Sequence, residues 1–159
     1  MLNIKILLKC LIVAQILILL IVYYIEHVMH IYACSLCKYQ RVPFFVNIIL
    51  LSFLILDKAR FNRLFYILLV SIIINVGISF YHIGIEYKFF TESEACITKD
   101  TPENTKDLLN VLINQEKQGC SKVNFKLFNF SLSELNFLIN VVFLVICVHI
   151  IRYERKQKN

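Results

Sequence analysis

The sequence predicts an all-α membrane protein, a bundle of four transmembrane helices with two extracytoplasmic loops. Two observations carry this prediction. First, 58% of the 159 residues are hydrophobic and only 18% are charged, whereas soluble domains are roughly 45–50% apolar; mean hydropathy is +0.68. Second, the apolar residues gather in four runs near the roughly 20 residues that span a bilayer. One soluble core of this length cannot bury them all, so residues 1–159 are expected to form a single membrane domain.

Run one covers about Ile6–Ile25. It has no polar gap and no Ala-x-Ala site after it, so it is expected to be a retained anchor. Ile31-Tyr32-Ala33-Cys34 faintly resembles a lipoprotein cleavage site, but Tyr32 fits poorly there and Glu26, His27 and His30 separate it from the run. Run two, about Val42–Leu56, is short for a span. Run three is about Leu64–Ile85 and run four about Leu132–Ile151. Lys5 and Lys9, then Lys58, Arg60 and Arg63 beside Asp57, then Arg152, Arg155, Lys156 and Lys158 beside Glu154 flank these runs. Four crossings put all three groups on one face, which the positive-inside rule makes cytoplasmic, termini included. The net charge of +6 therefore reads as topology. The basic residues form no aromatic-interleaved patch of the kind that binds nucleic acid.

The outer face then receives loop one, about 26–41, and loop two, about 86–131. Within loop two, Asp107–Gln118 places Leu108, Val111, Leu112 and Gln115 at helical spacing. This predicts a short amphipathic helix on the bilayer surface or against the bundle. Val123, Phe125, Leu127, Phe128 and Phe130 look like interfacial anchors before run four. Asn75 and Asn140 are candidates for hydrogen bonds between helices.

Of the six cysteines, Cys10 and Cys147 lie within apolar runs and read as packing residues. The other four fall in the outer loops, Cys34 and Cys37 in loop one and Cys96 and Cys120 in loop two. An even number on the outer face fits an oxidising compartment. Cys34-Ser35-Leu36-Cys37 is a C-x-x-C, whose sulfurs can close a very small ring and whose thiols can be activated as nucleophiles. Structural disulfides are one alternative. A zinc site made of the four cysteines is another, although Cys96 and Cys120 lie 24 positions apart and a zinc ribbon usually brings a second C-x-x-C. No metal site is assigned. Arg41 follows Cys37 by four residues. If helix two begins near here, with Pro43 in its first turn, the two share a face. A guanidinium there favours a thiolate or stabilises an anionic oxygen; the plainer reading is a headgroup anchor, as for Lys38.

His27-Val28-Met29 followed by Cys34-x-Leu36-Cys37-x-Tyr39-Gln40-Arg41 resembles the disulfide bond formation protein B family, DsbB. The resemblance extends over nearly the whole chain. It includes His82-x-Gly84-x-Glu86 at the outer end of run three and Phe130-Ser131-Leu132-Ser133-Glu134-Leu135-Asn136 at the start of run four. The chain has no Trp; Phe125 and Leu135 stand where many relatives carry one, Phe130 replaces a glycine, and Ser121 follows Cys120 where an acidic residue is common.

The resemblance implies a bacterial inner-membrane oxidoreductase that reoxidises a periplasmic DsbA-like dithiol oxidase and passes the electrons to a membrane quinone, ubiquinone or menaquinone. It implies disulfides Cys34–Cys37 and Cys96–Cys120, with Cys96 taking the mixed disulfide with the partner, Cys120 resolving it, and Cys34 exchanging with Cys120. Cys37 is then the quinone-facing thiolate and Arg41 the cation at the quinone oxygen. His82 and Glu86 lie near the quinone or form a polar cap on helix three, and His27, His30 and Tyr39 rank behind them. His149, near the cytoplasmic end, reads as a snorkelling side chain. Two other classes compete. A vitamin K epoxide reductase-like enzyme also has four helices, but its C-x-x-C usually follows the loop pair. A non-enzymatic subunit with structural disulfides would neither use quinone nor exchange with a dithiol partner.

Overall fold

In the computed structural model, the described residues are 4–29, 31, 33–56, 61–91, 96, 120–121, 126–127 and 129–158. They form α1 (Ile4–His27), α2 (Ser35–Leu56), α3 (Phe61–Glu86), the short strands β1 (Lys126–Leu127) and β2 (Phe130–Ser131), and α4 (Leu132–Lys158). All four helices are long and apolar enough to cross a membrane. A bilayer core offers no water to unpaired backbone groups, so apolar runs of this length satisfy them internally as helices. The expected amphipathic helix at Asp107–Gln118, the anchors Val123, Phe125 and Phe128, and His30 and Tyr32 lie outside the described residues.

The bundle is apolar outside and partly polar inside. Leu20, Ile21, Phe53, Ile73 and Val145 are each more than half exposed, whereas Gln15, Asn47, Asn75, Ser79 and Asn140 are at most 1% exposed. Side chains that face lipid gain nothing by hiding, so the interior is free to hold polar groups that join helices. The expected Asn75–Asn140 contact is present: Asn75 Nδ2 donates to Asn140 Oδ1 at 3.1 Å. Asn140 Nδ2 donates in turn to the backbone and side-chain oxygens of Asn136, and Asn136 Nδ2 donates to Ser79 Oγ at 2.9 Å. This ladder ties α3 to α4. Helix α3 also packs along α2, and α2 along α1, while α1 and α4 barely meet.

Helix two corrects the sequence reading. It begins at Ser35 rather than near residue 42, so Pro43 sits inside the helix instead of in its first turn. Polar and charged residues from Ser35 to Arg41 lower the local hydropathy and hide a helical turn that the C-x-x-C itself starts. Cys34 caps it: its carbonyl accepts from Lys38 N at 3.2 Å and its Sγ receives the Cys37 N–H at 3.4 Å. Loop one shrinks accordingly, and Glu26 belongs to the last turn of α1.

The outer ends of α3 and α4 are pinned. Lys88 adopts φ 61° in a Schellman turn in which Lys88 N donates to Ile85 O and Phe89 N to Gly84 O. Gly84 makes room for the Phe90 ring, which a Cβ there would meet at 2.2 Å. Ser131 and Glu134 form a capping box on α4, with Ser131 N donating to Glu134 Oε2 at 2.7 Å and Glu134 N to Ser131 Oγ at 3.2 Å. Tyr87 Oη donates to Glu134 Oε1 at 2.7 Å, and that bond raises the tyrosine's pKa. Strands β1 and β2 pair antiparallel just before α4, with Asn129 at φ 69° in their turn.

The ladder predicts measurable coupling between α3 and α4. A double-mutant cycle of Asn75→Leu and Asn140→Leu, read as reversible unfolding in detergent, should give an interaction of about 1 kcal/mol. Additive effects would mean that the two amides are independently satisfied.

Candidate functional site

Three sulfurs meet at the outer end of the bundle. Cys34 Sγ lies 3.2 Å from Cys37 Sγ and 3.5 Å from His82 Nε2. The Sγ atoms of Cys34 and Cys120 and the His82 ring nitrogen all lie within 4.8 Å of one another. Cys34, Cys96 and Cys120 form one buried cluster with Leu36 and Ile85. The Cys34 and Cys37 sulfurs lie at contact distance rather than bonding distance. Cys96 is fully buried, in one cluster with Cys34 and Cys120. Cys147 packs in the core as expected, whereas Cys10 is exposed on the outer surface of α1.

The sulfur cluster polarises Cys34. Hydrogen bonding with Cys120, and then with Cys37, holds the Cys34 thiol well below the ordinary thiol range, against the opposing effect of burial. Its place at the start of α2, where helix dipoles favour negative charge, acts in the same direction. The Cys120 thiol is pushed up, first because it shares its proton with Cys34 and then by burial.

Arg41 stands one helical turn inward from Cys37. Its Nη1 forms an ion pair with Glu26 Oε2 across the α1–α2 interface, and its guanidinium carbon lies 5.0 Å from the centre of the Tyr23 ring, within cation–π range. The Arg41 and Glu26 side chains are only 12% and 14% exposed. Arg41 Nε is buried and has no hydrogen-bond partner among the described residues. His82 is also buried: Gln40 Nε2 lies 3.4 Å from its Nδ1 and Glu86 Oε1 lies 3.7 Å from its Nε2. Tyr39 is exposed, and exposed His27 stacks on Tyr23.

These groups line a cavity of about 310 Å³ in the space left between α1 and α4. Cys34, Cys37, Arg41, Glu26, His82 and Glu86 occupy its polar side, and aliphatic side chains of α1 and α4 form most of the remaining wall. The structure thus gathers Cys34, Cys37, Cys120, Arg41, His82 and Glu86 around one place, with Cys96 packed beneath. Glu26, Tyr23 and Gln40 complete it without having been singled out as site residues. Glu26 had a signal, since a carboxylate at the end of an apolar run needs a partner. Gln40, part of the C-x-x-C block, had none.

The fold and site define a four-helix membrane protein whose clustered thiols adjoin an apolar cavity. A profile for the family described as "Disulfide bond formation protein DsbB" matches residues 5–150, and the chain belongs to that family. It is therefore a multi-pass membrane protein of disulfide-bond formation, and an oxidoreductase by its family. The chain is also similar to the protein named "Uncharacterized protein RP370" of Rickettsia prowazekii (strain Madrid E), 27% identical over 158 residues that cover 97% of this chain and 91% of that relative.

The depressed Cys34 thiol has a spectroscopic consequence. Reduced protein should keep a thiolate absorbance at pH values well below the ordinary cysteine pKa of about 8.5, and Cys34→Ser should remove it. Because the folded value is lowered, this thiolate stabilises the reduced fold above the unfolded thiol pKa, and the contribution fades as pH falls toward the folded value. A thiolate signal that disappears with an ordinary thiol titration would contradict the assignment.

Proposed function

We propose that this protein oxidises a DsbA-like extracytoplasmic dithiol partner and passes the two electrons to a membrane quinone. The reading also places the protein in the bacterial inner membrane, with both termini cytoplasmic. The observation that carries it is the position of Cys34 Sγ between Cys37 and Cys120, at the edge of the cavity that Arg41 lines.

In the oxidised resting state, Cys34–Cys37 and Cys96–Cys120 are disulfides. A partner thiolate attacks Cys96 Sγ, the Cys96–Cys120 bond breaks, and Cys120 leaves as a thiolate. The partner's second thiolate then attacks the mixed disulfide, so the partner becomes a disulfide and Cys96 a thiol. Before or after that release, Cys120 attacks Cys34 Sγ, breaking the Cys34–Cys37 bond and freeing the Cys37 thiolate; the released Cys96 thiolate then attacks Cys120 Sγ, which re-forms Cys96–Cys120 and leaves Cys34 and Cys37 as the reduced pair. In either order two electrons move inward and the partner's two protons are released. Cys96 is buried in the present state, so partner docking and exposure of Cys96 go together.

The cavity fits a quinone. Its hydrocarbon walls suit an isoprenoid tail, and the buried Arg41 Nε has no hydrogen-bond partner among the described residues. Arg41, Cys37 and His82 would hold the ring end. A bound quinone supplies the two-electron acceptor that the cysteines lack. Arg41 favours negative charge at Cys37 and beside it. Glu26 and Tyr23 fix the guanidinium so that it need not reorganise. His82 and Glu86 offer a place for protons next to Cys34. The gap between α1 and α4 is a route from the lipid.

Purified protein in detergent, given a reduced DsbA-like oxidase and a soluble ubiquinone analogue, should reduce quinone with stoichiometric oxidation of the partner. Cys37→Ala should abolish quinone reduction. Cys96→Ala should abolish partner oxidation while the quinone still binds. Arg41→His should weaken apparent quinone affinity ~10-fold or more, the loss of a charged hydrogen bond, and by a larger factor than the fall in folded yield that the unpaired Glu26 causes. Equal losses of yield and turnover would make Arg41 only an anchor.

A further inference from the structure

The geometry points to a site for one thiophilic divalent cation of the zinc class, held by Cys34 Sγ, Cys120 Sγ and His82 Nε2 when the cysteines are reduced. This is a property of the dithiol state and does not depend on which molecule accepts the electrons.

The three ligand atoms come from three separate parts of the chain: the cap of α2, the body of α3 and loop two. They already lie within 4.8 Å of one another, and Cys34 Sγ to His82 Nε2 is 3.5 Å. A tetrahedral zinc ion, with Zn–S of about 2.3 Å and Zn–N of about 2.0–2.1 Å, sets its ligands roughly 3.5–3.8 Å apart. The cluster therefore has to close by about 1 Å at most. Two thiolates and an imidazole are the soft and borderline donors that select zinc over magnesium or calcium. All three residues are at most 9% exposed, so water competes poorly for the ion.

Neighbouring groups support the same arrangement. Gln40 Nε2 lies 3.4 Å from His82 Nδ1; turning that amide by 180° puts its Oε1 there, to accept the Nδ1 proton of a ring coordinated through Nε2 and fix the ring's orientation. The fourth position can be taken by Cys37, whose Sγ is 3.2 Å from that of Cys34, or by Glu86, whose Oε1 is 3.7 Å from His82 Nε2. Cys96 is not among the three. The set thus differs from the four-cysteine arrangement considered from sequence, with a histidine of α3 in place of the first loop-two cysteine.

The chemistry balances without an oxidant. The ion takes two thiolates and a neutral imidazole; it displaces whatever protons the two thiols still carry, and no atom changes oxidation state. Disulfide formation removes both thiolates, so the oxidised protein loses the site. A cation held there also occupies the sulfurs that disulfide exchange needs, which makes it an inhibitor of the reduced protein.

Cobalt(II) titrated anaerobically into the reduced full-length chain in detergent tests this. One equivalent should bind, with thiolate-to-cobalt charge transfer and tetrahedral visible bands, and zinc should displace it. The oxidised chain should show neither. Cys34→Ser and Cys120→Ser should each lose the signal. His82→Ala should weaken affinity ~100-fold or more, beyond what loss of an outer hydrogen-bond partner costs, and Cys96→Ser should bind as wild type. Binding by the oxidised chain, or loss in Cys96→Ser with retention in His82→Ala, would overturn the site. X-ray absorption of the zinc-loaded wild type needs no variant: two or three sulfurs with imidazole scattering support the assignment, and four sulfurs or an all-oxygen shell refute it.

Discussion

A guanidinium at the edge of an apolar bundle must be neutralised where it sits, and the Arg41–Glu26 pair is the constraint around which the outer half of this protein is arranged. Removing either partner would leave a poorly solvated charge behind, a far larger penalty than the modest net value of an exposed pair. The pair joins the last turn of α1 to the second turn of α2. It thereby sets how those helices meet on one side of the cavity, while α4 stays apart on the other. Tyr23 holds the opposite face of the cation. With Nη1 on Glu26, Nε is a buried donor with no partner among the described residues. Since Arg41 follows Cys37 by one helical turn, the same constraint brings a positive charge to the sulfur centre.

The sulfurs are not equivalent, and their differences follow from backbone position. Cys34 caps α2, so its Sγ receives a backbone N–H and faces the positive end of the helix dipole. Cys37, three residues on, is inside the first turn and lines the cavity. The two loop-two cysteines share one buried cluster with Cys34. Cys34 is thus the sulfur with neighbours on both sides, and it is where negative charge settles when the site is reduced. A C-x-x-C lying in a flexible loop would not separate its two sulfurs in this way.

Much of this was legible in the sequence, and what was missed has identifiable causes. Four apolar runs gave four spans because hydropathy averages over a whole helix. The start of α2 was hidden because the residues that begin it, from Ser35 to Arg41, are mostly polar and belong to the site. Glu26 was read as loop for the same reason: a window rejects a carboxylate that a cation on the next helix accepts. The burial of Cys96 could not be read from a polar loop of mixed charge, because it depends on contacts with Cys34 and Cys120 far away in sequence. The Ser131-x-x-Glu134 capping box was present in the sequence and marks where α4 begins.

Helix α3 links the two halves of the bundle. Its residues Phe65, Leu68 and Ile72 fill the core toward the N-terminal end of α1, beside Leu8, Leu11 and Ile150. From Asn75 onward the same face turns polar, with Asn75, Ser79, His82 and Glu86 recurring at helical spacing. The first two bond to α4, and the last two reach the sulfur centre and the cavity. Polar groups within a membrane bundle are tolerated where they find partners, and this stripe does so progressively toward the outer end. Along it, hydrogen bonds fix α3 against α4, while the packing of α3 along α2 sets the height at which His82 meets Cys34, so the distance from imidazole to sulfur is set by helix pairing rather than by loop two.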